Sequence, residues 1–146
     1  MPVSTSLRRL LRIRELQEEQ DKLALQTAWG EMSRLETALA ATKHRAESGR
    51  RLVGSGVRSG SLADRVAGLE EIRAAAGLAN ALSVRIAAAE RHVAALRDSL
   101  LSSRIRRRQT KTLVEADAAR VSAKEVRRIQ SDLDELHRRN QKREQA

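Results

Sequence analysis

Apolar side chains recur along this chain in alternating steps of three and four. Leu25, Ala28, Met32, Leu35, Leu39, Thr42 and Ala46 keep that spacing, and so do Ile72, Ala75, Ala79, Leu82, Ile86, Ala89, Val93, Leu96 and Leu100. A repeat averaging 3.5 residues holds one narrow stripe of a helix against one partner along its whole length, which is the pattern of a coiled-coil seam. Little else in the chain competes with that pattern. The one proline is at position 2, there is no Phe, Tyr or Cys, and there is one Trp among 146 residues. The bulky rings that fill a globular core are therefore missing, while the Ala, Leu, Glu and Arg content favours long helices. The expectation is an all-α fold, an antiparallel two-stranded coiled-coil hairpin of two long helices with the second helix longer.

One segment reads as a break. Residues 48–61, SGRRLVGSGVRSGS, hold four glycines and four serines, and glycine weakens a helix while favouring turns. The chain then divides into helix 1 at about 5–48, a Gly/Ser loop at 49–61 and helix 2 at about 62–144, all in a single coiled-coil domain over 1–146. Ser61 is placed to cap helix 2, with Asp64 three positions on. Gly77 falls outside the second seam, so the helix is read straight through it. A register that sets large side chains against small ones pairs Thr42 with Ile72, Leu39 with Ala75 and Leu25 with Ala89. It places Leu7 opposite Arg107 and leaves helix 2 projecting from about 108 onward. The clean heptads degrade after Leu100, where the best phases admit Arg107, Arg108, Thr110, Thr112 and Asp117. An apolar stripe returns at Val126, Ile129, Leu133 and Leu136. That stripe either meets a partner or, if the helices slide, meets Leu7, Leu10, Leu11, Ile13 and Leu16. Both alternatives bring a leucine-rich N-terminus and a basic C-terminal arm toward the same end.

The formal net charge is +10, of which residues 101–146 carry +6 from thirteen basic and seven acidic side chains. Such a surface attracts nucleic acid, acidic lipid or acidic protein, and charge alone does not choose among them. The run RIRRRQTK at 104–111 could contact phosphates, but no aromatic side chain interleaves it for base stacking. Glu115, Asp117, Glu125, Asp132, Asp134 and Glu135 on the same arm would repel phosphate. Nucleic acid is therefore disfavoured against a solvated face or a protein contact. Trp29 flanks the first seam beside Ala28 and reads as a packing residue.

The one cluster with the residue types of a catalytic or metal site is RRIQSDLDELHRR at 127–139. On a helix, Ile129, Leu133 and Leu136 share a face, while Asp132, Asp134 and Glu135 lie off it. Arg128–Asp132, Asp134–Arg138 and Glu135–Arg139 are i,i+4 pairs worth a few tenths of a kcal/mol, about 0.2–0.5 each. His137 and Asp134 would need further ligands to hold a metal, and His44 and His92 are far off in sequence. There is no phosphate-binding GxxxxGK[ST] loop, and a two-helix hairpin offers no deep pocket. The reading is of no enzyme, with no catalytic residue, metal, cofactor or small-molecule substrate. No apolar signal core is evident near the N-terminus, and the stretch at 74–84 is too short for a membrane span. A soluble cytoplasmic protein is expected.

The C-terminal stretch EVRRIQSDLDELHRR (125–139) resembles the C-terminal motif of the flagellar export stalk family FliJ and its type III secretion relatives, with Glu125, Arg128, Gln130, Leu133, Asp134 and Glu135 matching. The leucine-, arginine- and glutamate-rich first helix, the central Gly/Ser segment and the long second helix extend the resemblance over nearly the whole chain, although the aromatics usual near the loop and in the second helix are absent. The resemblance implies an antiparallel coiled coil similar to the central stalk of rotary ATPases. One end would insert into the pore of the hexameric flagellar export ATPase, and other surfaces would bind the cytoplasmic domain of the export gate and the export chaperones. The inserting end is then assigned to Leu7, Leu10, Leu11, Arg127, Arg128, Ile129, Leu133, Asp134, Glu135 and Leu136, and the gate-facing surface to Leu69, Ile72 and Leu78. It also implies a place at the cytoplasmic face of the inner membrane at the flagellar base, with membrane contact only through the gate. Two other readings remain, a generic coiled-coil adaptor that dimerises through the C-terminal stripe and a basic helical nucleic-acid binder.

Overall fold

A computed structural model describes residues 4–146. Two α-helices account for nearly all of them, α1 at Thr5–Ser59 and α2 at Leu62–Glu144. Between them stand only Gly60 and Ser61. Gly60 has φ +73°, the left-handed conformation that ends a helix at little cost only when the residue has no Cβ. The Ser61 hydroxyl accepts the Asp64 N–H at 3.3 Å, and the Ser61 carbonyl accepts the Arg65 N–H at 3.3 Å. The expected cap of α2 is thus formed, and the chain reverses in two residues. Gly77 sits on an exposed turn of an unbroken α2.

The Gly/Ser segment is not the loop expected at 49–61, because α1 continues through it to Ser59. The reason lies in where its glycines fall. Gly49 and Gly56 are buried and continue the heptad step of Leu35 and Thr42, and buried Gly68 answers them from α2. A Cβ on Gly49 would stand 2.9 Å from the Gly68 carbonyl oxygen, one on Gly56 2.9 Å from the Arg65 N, and one on Gly68 2.6 Å from the Gly49 carbonyl oxygen. The glycines let the two backbones approach at the hairpin tip. Each costs about 1 kcal/mol in helix propensity, offset by the packing they permit.

The two-residue turn also sets the register. With no slack, residues equally distant from Gly60–Ser61 must face each other. Ile72 packs over Gly49 and Val53 over Gly68. The pairing of Ile72 with Thr42 expected from large-against-small layers is therefore displaced by one heptad, a shift that preserves the stripe on each helix and changes only what meets across it.

The chain divides into two units. The unit at Asp21–Leu100 holds the turn and the apolar core. Leu25, Ala28, Val93 and Leu100 are buried together, with Met32 and Leu96 packed on them. A buried leucine of this kind contributes about 1.5–3 kcal/mol. On one side of this seam Arg45 makes a bidentate pair with Glu71, at 2.5 and 3.1 Å. The pair holds the Glu71 carboxyl below its ordinary range and raises the guanidinium. Both side chains are substantially exposed, so the pair favours one register more than it adds stability. On the other side the Arg97 guanidinium lies 5.3 Å from the Trp29 ring centre, a cation–π contact. Trp29 is thus a flanking packing residue, although 41% of it remains exposed.

Gly68→Ala should destabilise the hairpin by about 1–3 kcal/mol, because the added methyl meets backbone that cannot yield. Gly77→Ala, with nothing within 4 Å of the new Cβ, should stabilise it by about 0.5–1 kcal/mol. Thermal unfolding followed by helical circular dichroism measures both, and the opposite signs distinguish a packed glycine from a merely helical one.

Candidate functional site: an unpartnered C-terminal arm

The second unit comprises residues up to Gln20 and those from Leu101 onward. Here the three-four spacing on α2 does not stop; its residues become polar. Ser103, Thr110 and Asp117 are buried, and Arg107, Val114 and Val121 are half-buried. The apparent loss of the heptad after Leu100 is a change of residue type within an unchanged phase.

Ions and hydrogen bonds replace leucines in this seam. Glu18 on α1 accepts the Arg107 Nε–H and stands 3.5 Å from Arg104 Nε. Two of the five cations of the 104–111 run are thereby engaged within the chain. Thr110 turns its hydroxyl onto the Arg106 carbonyl of its own helix at 2.9 Å. Asp117, only 7% exposed, accepts the Ser4 N–H at 2.8 Å and pairs with Arg120. Ser4 is the N-cap of α1, its carbonyl accepting the Arg8 N–H at 3.2 Å. The first turn of α1 contains no acidic residue, so Asp117 supplies from the neighbouring helix the negative charge that a helix N-terminus favours. The Ser4 hydrogen bond, then Arg120 and, at longer range, Lys124 hold the Asp117 carboxyl below its ordinary range.

Helix α1 begins beside Asp117, and past Val121 every residue of α2 is exposed. The free arm thus starts after Val121, not near 108 as the expected register implied: the true register carries α1 one heptad further along α2, the contact of α1 begins at its cap Ser4 rather than at Leu7, and the half-buried seam runs one more turn past Asp117. At its root Ser4, Asp117, Arg120, Val121, Lys124, Glu125 and Arg128 surround a notch of about 380 Å³.

The arm carries the apolar stripe intact. Val126, Ile129, Leu133 and Leu136 are 54–59% exposed. The stripe does not continue the hairpin seam. From Val121 the next seam positions are Lys124 or Glu125 and then Arg128, whereas the apolar residues stand one place later, about 100° around the helix. Sliding α1 by whole heptads therefore would not cover them. Around the same turns, Arg127, Arg128, Asp134 and Glu135 all lie on the side away from the stripe, about 120–140° around the helix from its centre. Glu135 pairs with Arg139 at 3.8 Å, and His137 lies 3.2 Å from Gln141. The groups assigned to an inserting end are therefore split. Arg127, Arg128, Ile129, Leu133, Asp134, Glu135 and Leu136 share the arm. Leu7, Leu10 and Leu11 are half-buried on α1, behind Ser4 on the side away from the arm. Ile129 and Leu136 lie about 18 and 28 Å beyond Asp117 at 1.5 Å per residue. The residues assigned to the gate are split too. Leu69 and Leu78, nine residues apart, point to opposite sides of α2, and Ile72 is half-buried over Gly49 between them. Exposed Leu62 and Val66 are the residues that share a face with Leu69. Sequence reasoning named Ile72 and Leu78 in their place, although the i, i+4, i+7 spacing of Leu62, Val66 and Leu69 was the available signal.

Among the described residues, no group of three or more His, Cys, Asp or Glu side chains is arranged to hold a metal ion, and no helix is long and apolar enough to cross a membrane. A two-helix hairpin with an exposed, striped and charged helical arm defines a protein that works through contact surfaces. Residues 4–146 match the family model described as Flagellar FliJ protein, and the chain belongs to that family. Membership makes it a relative of cytoplasmic, non-catalytic components of flagellar protein export and implies a stalk role in the export apparatus. No curated protein and no solved structure matches the chain.

The Asp117 carboxylate gives a pH dependence with a defined sign. Its folded pKa lies below its unfolded one, so its contribution is complete above the ordinary Asp range, near about 4, and is lost as pH falls through the lower folded value. Amide exchange in the first two turns of α1 should accelerate in that acid window. Asp117→Asn should already show the faster exchange at neutral pH and no further acid step there.

Proposed function

We propose that this protein is the stalk of a flagellar export apparatus, with its C-terminal arm entering the central opening of the hexameric export ATPase and its turn end meeting the cytoplasmic domain of the export gate. It would work at the cytoplasmic face of the inner membrane at the flagellar base, coupling ATPase to gate and receiving export chaperones. Leu133 and Ile129 would supply apolar contact inside the opening, and Asp134, Glu135, Arg127 and Arg128 would orient the arm by charge. Leu7, Leu10 and Leu11 would follow at the neck, where α1 joins the arm. At the other end, Leu69 with Leu62 and Val66 would face the gate, with Ile72 and Leu78 contributing from the adjoining seam and far side.

The observation that carries this reading is the arrangement of the arm. Its apolar stripe and its motif charges occupy different sides of one helix that no other described part of the chain covers. A flat partner could touch one side, whereas an annular partner can touch all of them. A single helix about 10–12 Å across also suits a narrow opening.

Leu133→Asp places a charge in the stripe while leaving the helix-forming sequence around it unchanged. It should abolish capture of the cognate hexameric ATPase in a pull-down and stimulation of its hydrolysis, with helical circular dichroism preserved; undiminished stimulation would sink the arm assignment. The competing adaptor reading draws on the same uncovered stripe. Sedimentation equilibrium separates the two, a monomer being expected for the stalk and a stable dimer buried through its arms for the adaptor.

A further inference from the structure

We propose that residues 4–20, the cap and first sixteen residues of α1, form a detachable segment latched to α2 by Glu18, and that the hairpin opens there while the turn-proximal unit stays closed. Three independent features lead to this conclusion. First, the seam changes chemistry at the boundary between the two units. Leu25, Ala28, Val93 and Leu100 hold the unit at 21–100 by apolar burial, whereas Ser103, Thr110 and Asp117 occupy the buried positions of α2 beyond it. Local opening concentrates where buried apolar contacts are few.

Second, the contacts that replace the leucines are electrostatic and concentrated. Glu18 serves both Arg107 and Arg104, and its side chain keeps only 19% exposure against 27% for Arg107. A half-buried carboxylate between two guanidinium groups holds firmly while paired. Removing it leaves Arg107 half-desolvated and without its acceptor.

Third, the N-terminal end of the segment is electrostatically unfavourable for a helix on its own. Arg8, Arg9 and Arg12 crowd its N-terminal turns and no acidic residue stands in the first turn, which opposes the helix dipole. Asp117, from α2, corrects this only while the segment is docked. Undocking therefore removes the N-terminal charge that the segment lacks, so separation and fraying occur together.

The consequence is a longer single-helix arm. Docked, α2 is unpartnered from about 122; with residues 4–20 released it is unpartnered from 101, roughly 65 Å of helix in place of about 35 Å. The opening itself is a property of the free chain. Only its use, to set how deep a single helix can enter an annular partner, rests on the stalk reading.

Hydrogen exchange on the full-length free protein, resolved by peptide, tests the latch without any partner. Amides of residues 7–18 should exchange faster than those of 25–46 in the wild type, and Glu18→Gln should speed the first group by roughly tenfold while leaving the second unchanged. Thr110→Leu, which puts an apolar side chain into the same seam, should slow the first group. Equal protection of the two groups in the wild type, or a Glu18→Gln change shared by both, would overturn the detachable segment. The ATPase assay of Leu133→Asp fails or succeeds separately, so loss of the stalk reading and loss of the latch give different results.

Discussion

The two-residue turn at Gly60–Ser61 is the constraint on which the rest of the molecule depends. A heptad stripe tells each helix which side to bury, but a shift by seven residues returns the same stripe, so the stripe alone leaves the register open. A long flexible loop would leave several registers near in energy. Here Gly60 ends α1 in a left-handed conformation and Ser61 caps α2 at once, and the register follows by counting outward. Gly49, Gly56 and Gly68 then fall where the backbones meet, Glu18 meets Arg107, and Ser4 meets Asp117. The beginning of α1, and with it the length of α2 left bare, follows from that turn.

Within this frame the seam divides the work between its two units. Apolar burial holds the turn-proximal unit, and its exposed pairs, Arg45–Glu71 and Trp29–Arg97, discriminate against other alignments more than they stabilise. The terminal unit uses carboxylates in buried or half-buried positions. Such groups contribute little net stability compared with leucines of similar volume, yet tolerate no other partner in their place. Each unit thus holds its helices by a different means, the one by apolar side chains and the other by ion pairs and hydrogen bonds. The arm answers a different requirement. Its stripe sits a quarter turn or so away from the hairpin seam, so a partner can occupy the stripe without competing with α1.

Much of this was legible in the residues. The fold class, the order and unequal length of the helices, the Ser61 cap, the continuity through Gly77 and the family followed from heptad spacing, the scarcity of proline and aromatics, and the 125–139 motif. Two readings failed for one reason. Four glycines and four serines in fourteen residues look like a loop by propensity, yet Gly49 and Gly56 lie seven apart and in step with Leu35 and Thr42. That phase was the available signal, and composition outweighed it. Once the loop was taken as long, the register lost its anchor, and the large-against-small criterion selected an alignment one heptad away. The apparent decay of the repeat after Leu100 had a similar origin, because Ser103, Thr110 and Asp117 keep the phase while failing a test of hydrophobicity.

The sequence by itself determined which face of each helix is buried, since the 3.5-residue period survives any sliding of one helix along the other. It also determined the stripe of the arm and the charges around it, which depend only on the helix being continuous. Tertiary structure alone decided what meets across the seam: glycine against glycine at the tip, Glu18 against two arginines, and Asp117 against the start of α1. Periodicity specifies direction around a helix axis but not position along it, and position along the axis comes from a covalent turn whose length only the folded backbone reveals.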